Sequence, residues 1–149
     1  MNFRDREKFG RIEKTLGLNY RITRLYANYL EHYNEIINKE MIDALCGDGE
    51  IFTGSNIENS AFSPTVCAER TAIFKAVSEG KSDFVKIAVV GGNADKEPEN
   101  YCPPCGVCRQ VMKEFCSADF EIIIAKNPDD YKVKTLCELL PESFDKREV

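Results

Sequence analysis

The stretch "TVCAERTAIF", residues 65–74, decides the interpretation of the fold. It places a thiol, Cys67, and a carboxylate, Glu69, at the head of an apolar run that resembles a helix. A buried cysteine beside a helix-capping acid would explain this pair without any chemistry. A metal site would also explain it, provided that further thiols lie downstream at a spacing that lets them share the ion.

A downstream stretch, "PPCGVCRQVMKEF" at 103–115, supplies two such thiols in a C-x-x-C pattern. Its prolines stand just before a predicted helix, a position that proline favours. Three thiolates, from Cys67, Cys105 and Cys108, suit Zn²⁺ and leave a fourth tetrahedral position open, as a catalytic zinc site requires. A redox pair is the alternative for an isolated C-x-x-C, but the C-A-E upstream and the P-C at 104–105 favour zinc.

Composition limits the classes of function. With 149 residues and 43% hydrophobic content, the chain suits one domain over 1–149. It has no apolar run of about 18 residues and no hydrophobic stretch at its start, so we expect a cytoplasmic protein that does not contact membranes. Seven cysteines in a reducing compartment favour metal ligation or buried thiols over disulfides. The net charge of −5 argues against a nucleic-acid partner.

Hydrophobic periodicity predicts the regular elements. Apolar residues recur at three- and four-residue steps from about 20 to 45, which predicts one amphipathic helix there. The further predictions are strands at 50–54, 84–92 and 120–125, and helices from about Thr65 to Gly80, over 103–115 and over 135–141. Strands that alternate with helices indicate an α/β layered domain with some parallel pairing.

Three stretches resemble a known family, the small homotetrameric cytidine deaminases. They are "FTGSNIENSAFSPTVCAERTAIFKAVSEG" (52–80), "PPCGVCRQVMKEF" and "LCELLPESF" (136–144). The resemblance spans 46–144 and implies a three-layer α/β/α sandwich with a mixed sheet. It implies zinc-dependent hydrolytic deamination of cytidine and deoxycytidine to uridine and deoxyuridine in pyrimidine salvage, by a hydrolase acting on cyclic amidines. Cysteine rather than histidine at position 67 resembles the branch of the family that acts on free nucleosides.

The resemblance also implies roles for the residues around the zinc. The three cysteines would bind the ion, and Glu69 would carry protons to the pyrimidine ring and to the leaving amine. Arg70 has a physical rationale of its own, because three thiolates on Zn²⁺ leave a net charge of −1 that a guanidinium near the sulfurs would offset. An exposed helix arginine is the alternative.

Substrate contacts are implied by the same resemblance. Asn56 and Glu58 would bind the ribose hydroxyls, and the backbone around Ala68 would meet the pyrimidine edge. Phe62 and Phe144 stand where aromatic residues of the family reach a pocket from neighbouring subunits, which implies a homotetramer. A polar strand end followed by a turn is the alternative for the first pair, and two core phenylalanines are the alternative for the second.

The chain departs from the family just before Cys46. Family members carry a strand of the type P-Y-S-x-F-x-V-G-A-A-L there, whereas this chain has "NEIINKEMIDAL" at 34–45. Glu40 and Asp43 would be unfavourable in a buried strand. We therefore expect the N-terminal strand to be missing or replaced by a long helix, with a divergent helical region at 1–45 ahead of a family-like core.

This departure keeps two further functions open. One is a catalytically impaired relative in which the zinc is structural. The other is a deaminase of a different cytosine nucleoside, such as a nucleoside antibiotic, although Glu58 suits a ribose hydroxyl and argues mildly against it.

Overall fold

The computed structural model describes residues 38–93 and 98–145. In chain order, these ranges contain β1 (Asn38–Cys46), β2 (Ile51–Ser55), α1 (Ala68–Ser78), β3 (Phe84–Asn93), α2 (Gly106–Phe115), β4 (Glu121–Asn127), β5 (Asp130–Thr135) and α3 (Leu136–Leu139). The helix predicted over about 20–45 lies outside the described residues in its part up to residue 37. Within the described ranges, every helix is too short or too polar to cross a bilayer.

The strands form one mixed sheet in the order β2-β1-β3-β4-β5. Strands β3 and β4 pair in parallel, since α2 lies between them in the chain and carries it back across the sheet. Strands β4 and β5 pair antiparallel because only two residues, 128–129, separate them. Strand β1 pairs antiparallel with both of its neighbours. The predicted mixed sheet in an α/β fold is confirmed.

Helix α1 packs closely on one face of the sheet because small residues line its inner side. Ala68, Ala72 and Ala76 recur every four residues and are fully buried. The core on this face joins alternating residues of the strands to both long helices, and includes Ile42, Ala44, Phe52, Ile73, Ile87, Val89, Met112, Ile122 and Ile124. Burying one of the larger side chains contributes about 1.5–3 kcal/mol.

The expectation of a missing strand is wrong. Residues 38–46, placed at the end of a predicted helix, form β1 in the interior of the sheet. Asp43 is only 5% exposed there. Its carboxylate accepts a 2.7 Å hydrogen bond from the hydroxyl of Thr53, the residue opposite it on β2. This bond offsets part of the cost of burying a charge, while Ile42 and Ala44 alternate with Asp43 and fill the core.

The other predicted elements agree with the structure to within a few residues at their ends. Helix α3 begins with a capping box, in which the Thr135 and Glu138 side chains are each bonded to the backbone of the other residue. Strand β5 was not predicted. Its sequence, "DYKVKT", is half-exposed at the sheet edge and carries lysines, which is typical of edge strands and weakens the apolar alternation.

Gly54 of β2 makes a close approach that permits a stability prediction. A Cβ there would lie 2.4 Å from the Ala68 carbonyl oxygen and 2.5 Å from the Ala72 nitrogen, both rigid backbone atoms of α1. We expect Gly54→Ala to lower the free energy of unfolding by about 2–3 kcal/mol, measured by chemical denaturation. Gly106→Ala is the control, because no atom beyond its chain neighbours and its own helix backbone lies within 4 Å of the added Cβ. Equal stability of the two variants would contradict the prediction.

Candidate active site

Two cysteines stand at the N-terminal ends of the two long helices. Cys67 is the N-cap of α1 and Cys105 is the N-cap of α2, both with extended backbone. Neither makes a side-chain capping hydrogen bond within the described ranges. Cys108 lies in the first turn of α2 and is fully buried. All three sulfurs therefore lie at helix N-termini, where the peptide dipoles favour negative charge.

The three sulfurs converge as the sequence predicted. The Sγ atom of Cys105 is 3.8 Å from that of Cys67 and 3.5 Å from that of Cys108. All three ligand atoms lie within 4.8 Å of one another, and the thiols are free. A tetrahedral zinc with Zn–S bonds near 2.3 Å requires sulfurs about 3.8 Å apart. The cluster therefore fits Zn²⁺ in its donor type and in its spacing.

Glu69 brings a carboxylate to this cluster. It lies in the first turn of α1 and is 2% exposed. Its Oε2 accepts a hydrogen bond from the Cys108 thiol at 3.5 Å. A carboxylate at this place can exchange protons with a molecule bound beside the sulfurs while bulk water is excluded.

The pKa values of the thiols show why the cluster needs a cation. Burial, and then the negative charge of Glu69, raise the pKa of Cys108 far above its usual range. Burial also raises the pKa of Cys67. Burial acts to raise the pKa of Cys105 too, but the nearby polar groups of Cys108, first its backbone N–H and then its thiol, lower it overall. A coordinated zinc ion would ionise all three thiols.

Arg70 is turned towards the sulfurs. Its Nη2 lies 3.9 Å from the Cys67 sulfur and donates a 2.9 Å hydrogen bond to the Thr65 carbonyl. Burial acts to lower the pKa of Arg70, but its contacts with the thiols raise it overall. Its Nε atom is buried and has no hydrogen-bond partner among the described residues. This geometry favours charge compensation over an exposed helix arginine.

Asn56 and Glu58 form a polar pair beside the cluster. The Asn56 amide donates a 2.6 Å hydrogen bond to Glu58 Oε1. A bridge between Ile57 and Val66 fixes this segment next to Cys67. The carboxylate of Glu58 is exposed, so it can accept hydrogen bonds from a ligand.

Phe62 and Phe144 do not belong to the core of this chain. Phe62 is 83% exposed and adopts a left-handed backbone with φ of 60°, and Phe144 is 59% exposed. The alternative of two core phenylalanines is therefore wrong. By contrast, Ala68 is fully buried as the first residue of α1, so only its backbone is suited to meet a ligand.

Two side chains of α2 make contacts that sequence reasoning missed. Arg109 donates 2.7 Å hydrogen bonds to the carbonyls of Pro104 and Leu139. Gln110 donates a 3.0 Å hydrogen bond to the carbonyl of Phe144. The sequence carries no signal for these partners, because two of the three carbonyls lie at least 30 residues away in the chain.

Comparisons with known proteins agree with this geometry. The family model of the cytidine and deoxycytidylate deaminase zinc-binding region matches residues 42–124, which include all three cysteines and Glu69. The chain is 49% identical over 100 residues to cytidine deaminase of Halalkalibacterium halodurans, covering 67% of this chain and 72% of that one. It is 45% identical over 105 residues to cytidine deaminase of Sporosarcina psychrophila, covering 70% and 74%.

More distant relatives show the same fold and a related activity. The crystal structure of cytidine deaminase from Burkholderia pseudomallei superposes with a TM-score of 0.70 at 32% identity, covering 84% of this chain and 98% of that one. Blasticidin-S deaminase of Bacillus cereus is 32% identical over 127 residues, covering 83% and 84%. The family model covers more than half of the chain, and the relatives and the cluster of three sulfurs with a carboxylate agree with it. The chain therefore belongs to the zinc-dependent cytidine deaminase family.

Proposed function

We propose that the protein hydrolyses cytidine and deoxycytidine to uridine and deoxyuridine and releases ammonia. The observation that carries this proposal is the buried carboxylate of Glu69, 3.5 Å from Cys108 Sγ in a cluster of three sulfurs. The cytidine deaminases at 45–49% identity support the choice of substrate.

The zinc would be held by Cys67, Cys105 and Cys108. When bound, zinc supplies Lewis acidity that lowers the pKa of a water at its open position to about 7. Glu69 takes the proton of the water that attacks C4 of the pyrimidine and delivers it to N3. It then takes the proton of the hydroxyl formed on C4 and transfers it to the amine, so that the C–N bond breaks, ammonia departs and the carbonyl forms.

Arg70 compensates for charge in this mechanism. We expect Arg70→Met to keep its zinc but to lower kcat about 10–100-fold, because the net charge of −1 on the metal site then opposes acidification of the water. The measurement is kcat together with zinc content per chain. Arg70→Lys keeps a positive charge but lacks the planar guanidinium, so its kcat should lie between those of Arg70→Met and the parent. Unchanged kcat in Arg70→Met would contradict the prediction.

Substrate recognition involves the polar pair and the exposed aromatics. Asn56 and Glu58 bind the ribose hydroxyls, and the backbone of Ala68 meets the pyrimidine edge. Phe62 and Phe144 reach the pocket of a neighbouring subunit in a homotetramer. Their exposure in the single chain supports such a contact, since large exposed apolar side chains are typical of interfaces.

The cellular role follows from the substrate. Free pyrimidine nucleosides arise by nucleic-acid turnover, so the protein would act in pyrimidine salvage in the cytoplasm.

A sedimentation or light-scattering mass of four chains would support the homotetramer, and a monomeric mass would contradict it.

The function is tested by incubating the zinc-loaded protein with cytidine and deoxycytidine and following the loss of cytosine absorbance. We expect both nucleosides to be converted, with one ammonia released for each. Free cytosine lacks the ribose and serves as the control. A folded, zinc-loaded protein that converts neither nucleoside would reject the proposal and support the catalytically impaired alternative.

A second candidate is a deaminase of another cytosine nucleoside, which the similarity to blasticidin-S deaminase favours. Blasticidin S is therefore included as a third substrate. A higher kcat/KM for blasticidin S than for cytidine would favour this candidate. The higher identity to cytidine deaminases, 49% against 32%, favours the first.

A further inference from the structure

Packing holds only part of the turn before α2, because Pro104 is buried but Cys105 is exposed. Cys105 is exposed, whereas Cys67 is half-buried and Cys108 is fully buried. It makes no side-chain capping hydrogen bond within the described ranges. Pro103 and Pro104 precede it and have no N–H, so neither can donate a backbone hydrogen bond. The position of the Cys105 sulfur therefore depends on what holds the backbone of this turn.

Arg109 holds this backbone. It lies one helical turn after Cys105, and its Nε donates a 2.7 Å hydrogen bond to the Pro104 carbonyl. Its Nη1 donates a second 2.7 Å hydrogen bond to the carbonyl of Leu139, the last residue of α3. Charged donors make the stronger class of hydrogen bond, and the planar guanidinium fixes the angle between the two. One side chain thus connects the turn before Cys105 to the end of a second helix.

We propose that Arg109 is a positioning residue of the metal site, which holds the Pro104 carbonyl so that the Cys105 sulfur stays within ligand distance of the other two. The inference rests on the proposed role of Cys105 as a zinc ligand. The sulfur distances of 3.8 Å and 3.5 Å at Cys105 both depend on the position of this turn.

A general brace for the C-terminal segment is the competing explanation. Gln110, the next residue of α2, tests it because its side chain also anchors this segment, through the Phe144 carbonyl at 3.0 Å. This hydrogen bond reaches neither Pro104 nor Cys105. If Arg109 acts only by anchoring the C-terminal segment, then Gln110→Leu should have a comparable effect on the metal.

The first experiment measures zinc affinity by competition with a chromophoric chelator on the full chain. We expect Arg109→Met to weaken zinc binding about 10–100-fold, the range typical of residues that orient a metal ligand. Gln110→Leu should stay within about threefold of the parent, below that range. Arg109→Lys keeps the charge but lacks the planar guanidinium, so its zinc affinity should lie between those of Arg109→Met and Gln110→Leu. It also serves as the second variant if Arg109→Met does not fold, as judged by circular dichroism.

A double-mutant cycle tests whether the effect passes through Cys105. Cys105→Ser should weaken zinc binding by itself, and Arg109→Met should then add less than about threefold, because coupled residues are not additive. Cobalt substitution gives a spectroscopic check, in which Arg109→Met and Cys105→Ser should lose thiolate-to-cobalt charge-transfer absorption to a similar extent.

Two kinds of result would overturn the inference, one from Arg109→Met and one from Cys105→Ser. Arg109→Met with the parental zinc affinity and cobalt spectrum, or with an effect on affinity fully additive to that of Cys105→Ser, would show that Arg109 only braces the C-terminal segment. Unchanged affinity in Cys105→Ser would also overturn the inference, and it would reject the proposed ligand set as well. Cytidine turnover by the parent protein is measured separately, so a failure of the proposed reaction is distinguishable from either result.

Discussion

Glu69→Gln should leave a folded, zinc-loaded protein whose kcat on cytidine is lower by about 10³-fold or more. The amide has nearly the size of the carboxylate that it replaces in this buried place, so packing changes little. It cannot accept the proton of the attacking water or deliver one to N3 and to the leaving amine. General acid–base catalysis contributes about 10²–10⁴-fold for one such group, and here one group serves several transfers.

The measurement is kcat from the loss of cytosine absorbance, with zinc content determined on the same sample. Glu79→Gln is the control, because Glu79 lies at the opposite end of α1, is exposed and is far from the sulfurs. It should keep the parental kcat. A Glu69→Gln variant with full zinc and a kcat within tenfold of the parent would show that another group carries the protons.

The second large effect is expected for Cys108→Ser. Cys108 is the fully buried thiol of the cluster, and serine replaces it with a hydroxyl that binds zinc poorly. We expect zinc affinity to fall by at least about 10²-fold and turnover to disappear at equimolar zinc. For an ion that binds only the folded state, a 100-fold excess over Kd stabilises the protein by about 2.7 kcal/mol. The variant should lose this stabilisation.

Thermal melting with and without a chelator measures this effect. The parent should melt at a lower temperature when zinc is removed, whereas Cys108→Ser should melt at one temperature in both conditions. Cys137→Ser is the control, since this exposed thiol lies on α3 and contacts the Thr135 hydroxyl at 3.2 Å instead of the cluster. A zinc-dependent shift of parental size in Cys108→Ser would show that the ion binds elsewhere.

The site was predictable because its signals are local. Cys67 and Glu69 are two residues apart at one helix start, and Cys105 and Cys108 are one turn apart at another. Thiol ligands at such spacings, with a carboxylate beside one of them, restrict the chemistry strongly. The alternation of strands and helices then brought the two starts to one edge of the sheet, as expected for layered α/β domains.

What the sequence could not show depends on distant partners. Asp43 argues against a buried strand when it is considered alone, but its partner Thr53 lies ten residues away, across the β1–β2 turn. Arg109 has the same property, since its acceptor on α3 is 30 residues away. Strand β5 was missed because an edge strand buries too little of its surface to produce a clear alternation.

The interior position of β1 determines where the protein can be shortened. The recognisable motifs begin only near residue 52, so a cut guided by them would remove the strand that separates β2 from β3. Such a fragment would have β2 without a neighbour and an unpaired row of backbone groups along β3, and open edges of this kind invite aggregation. A minimal version of the enzyme must therefore begin no later than Asn38.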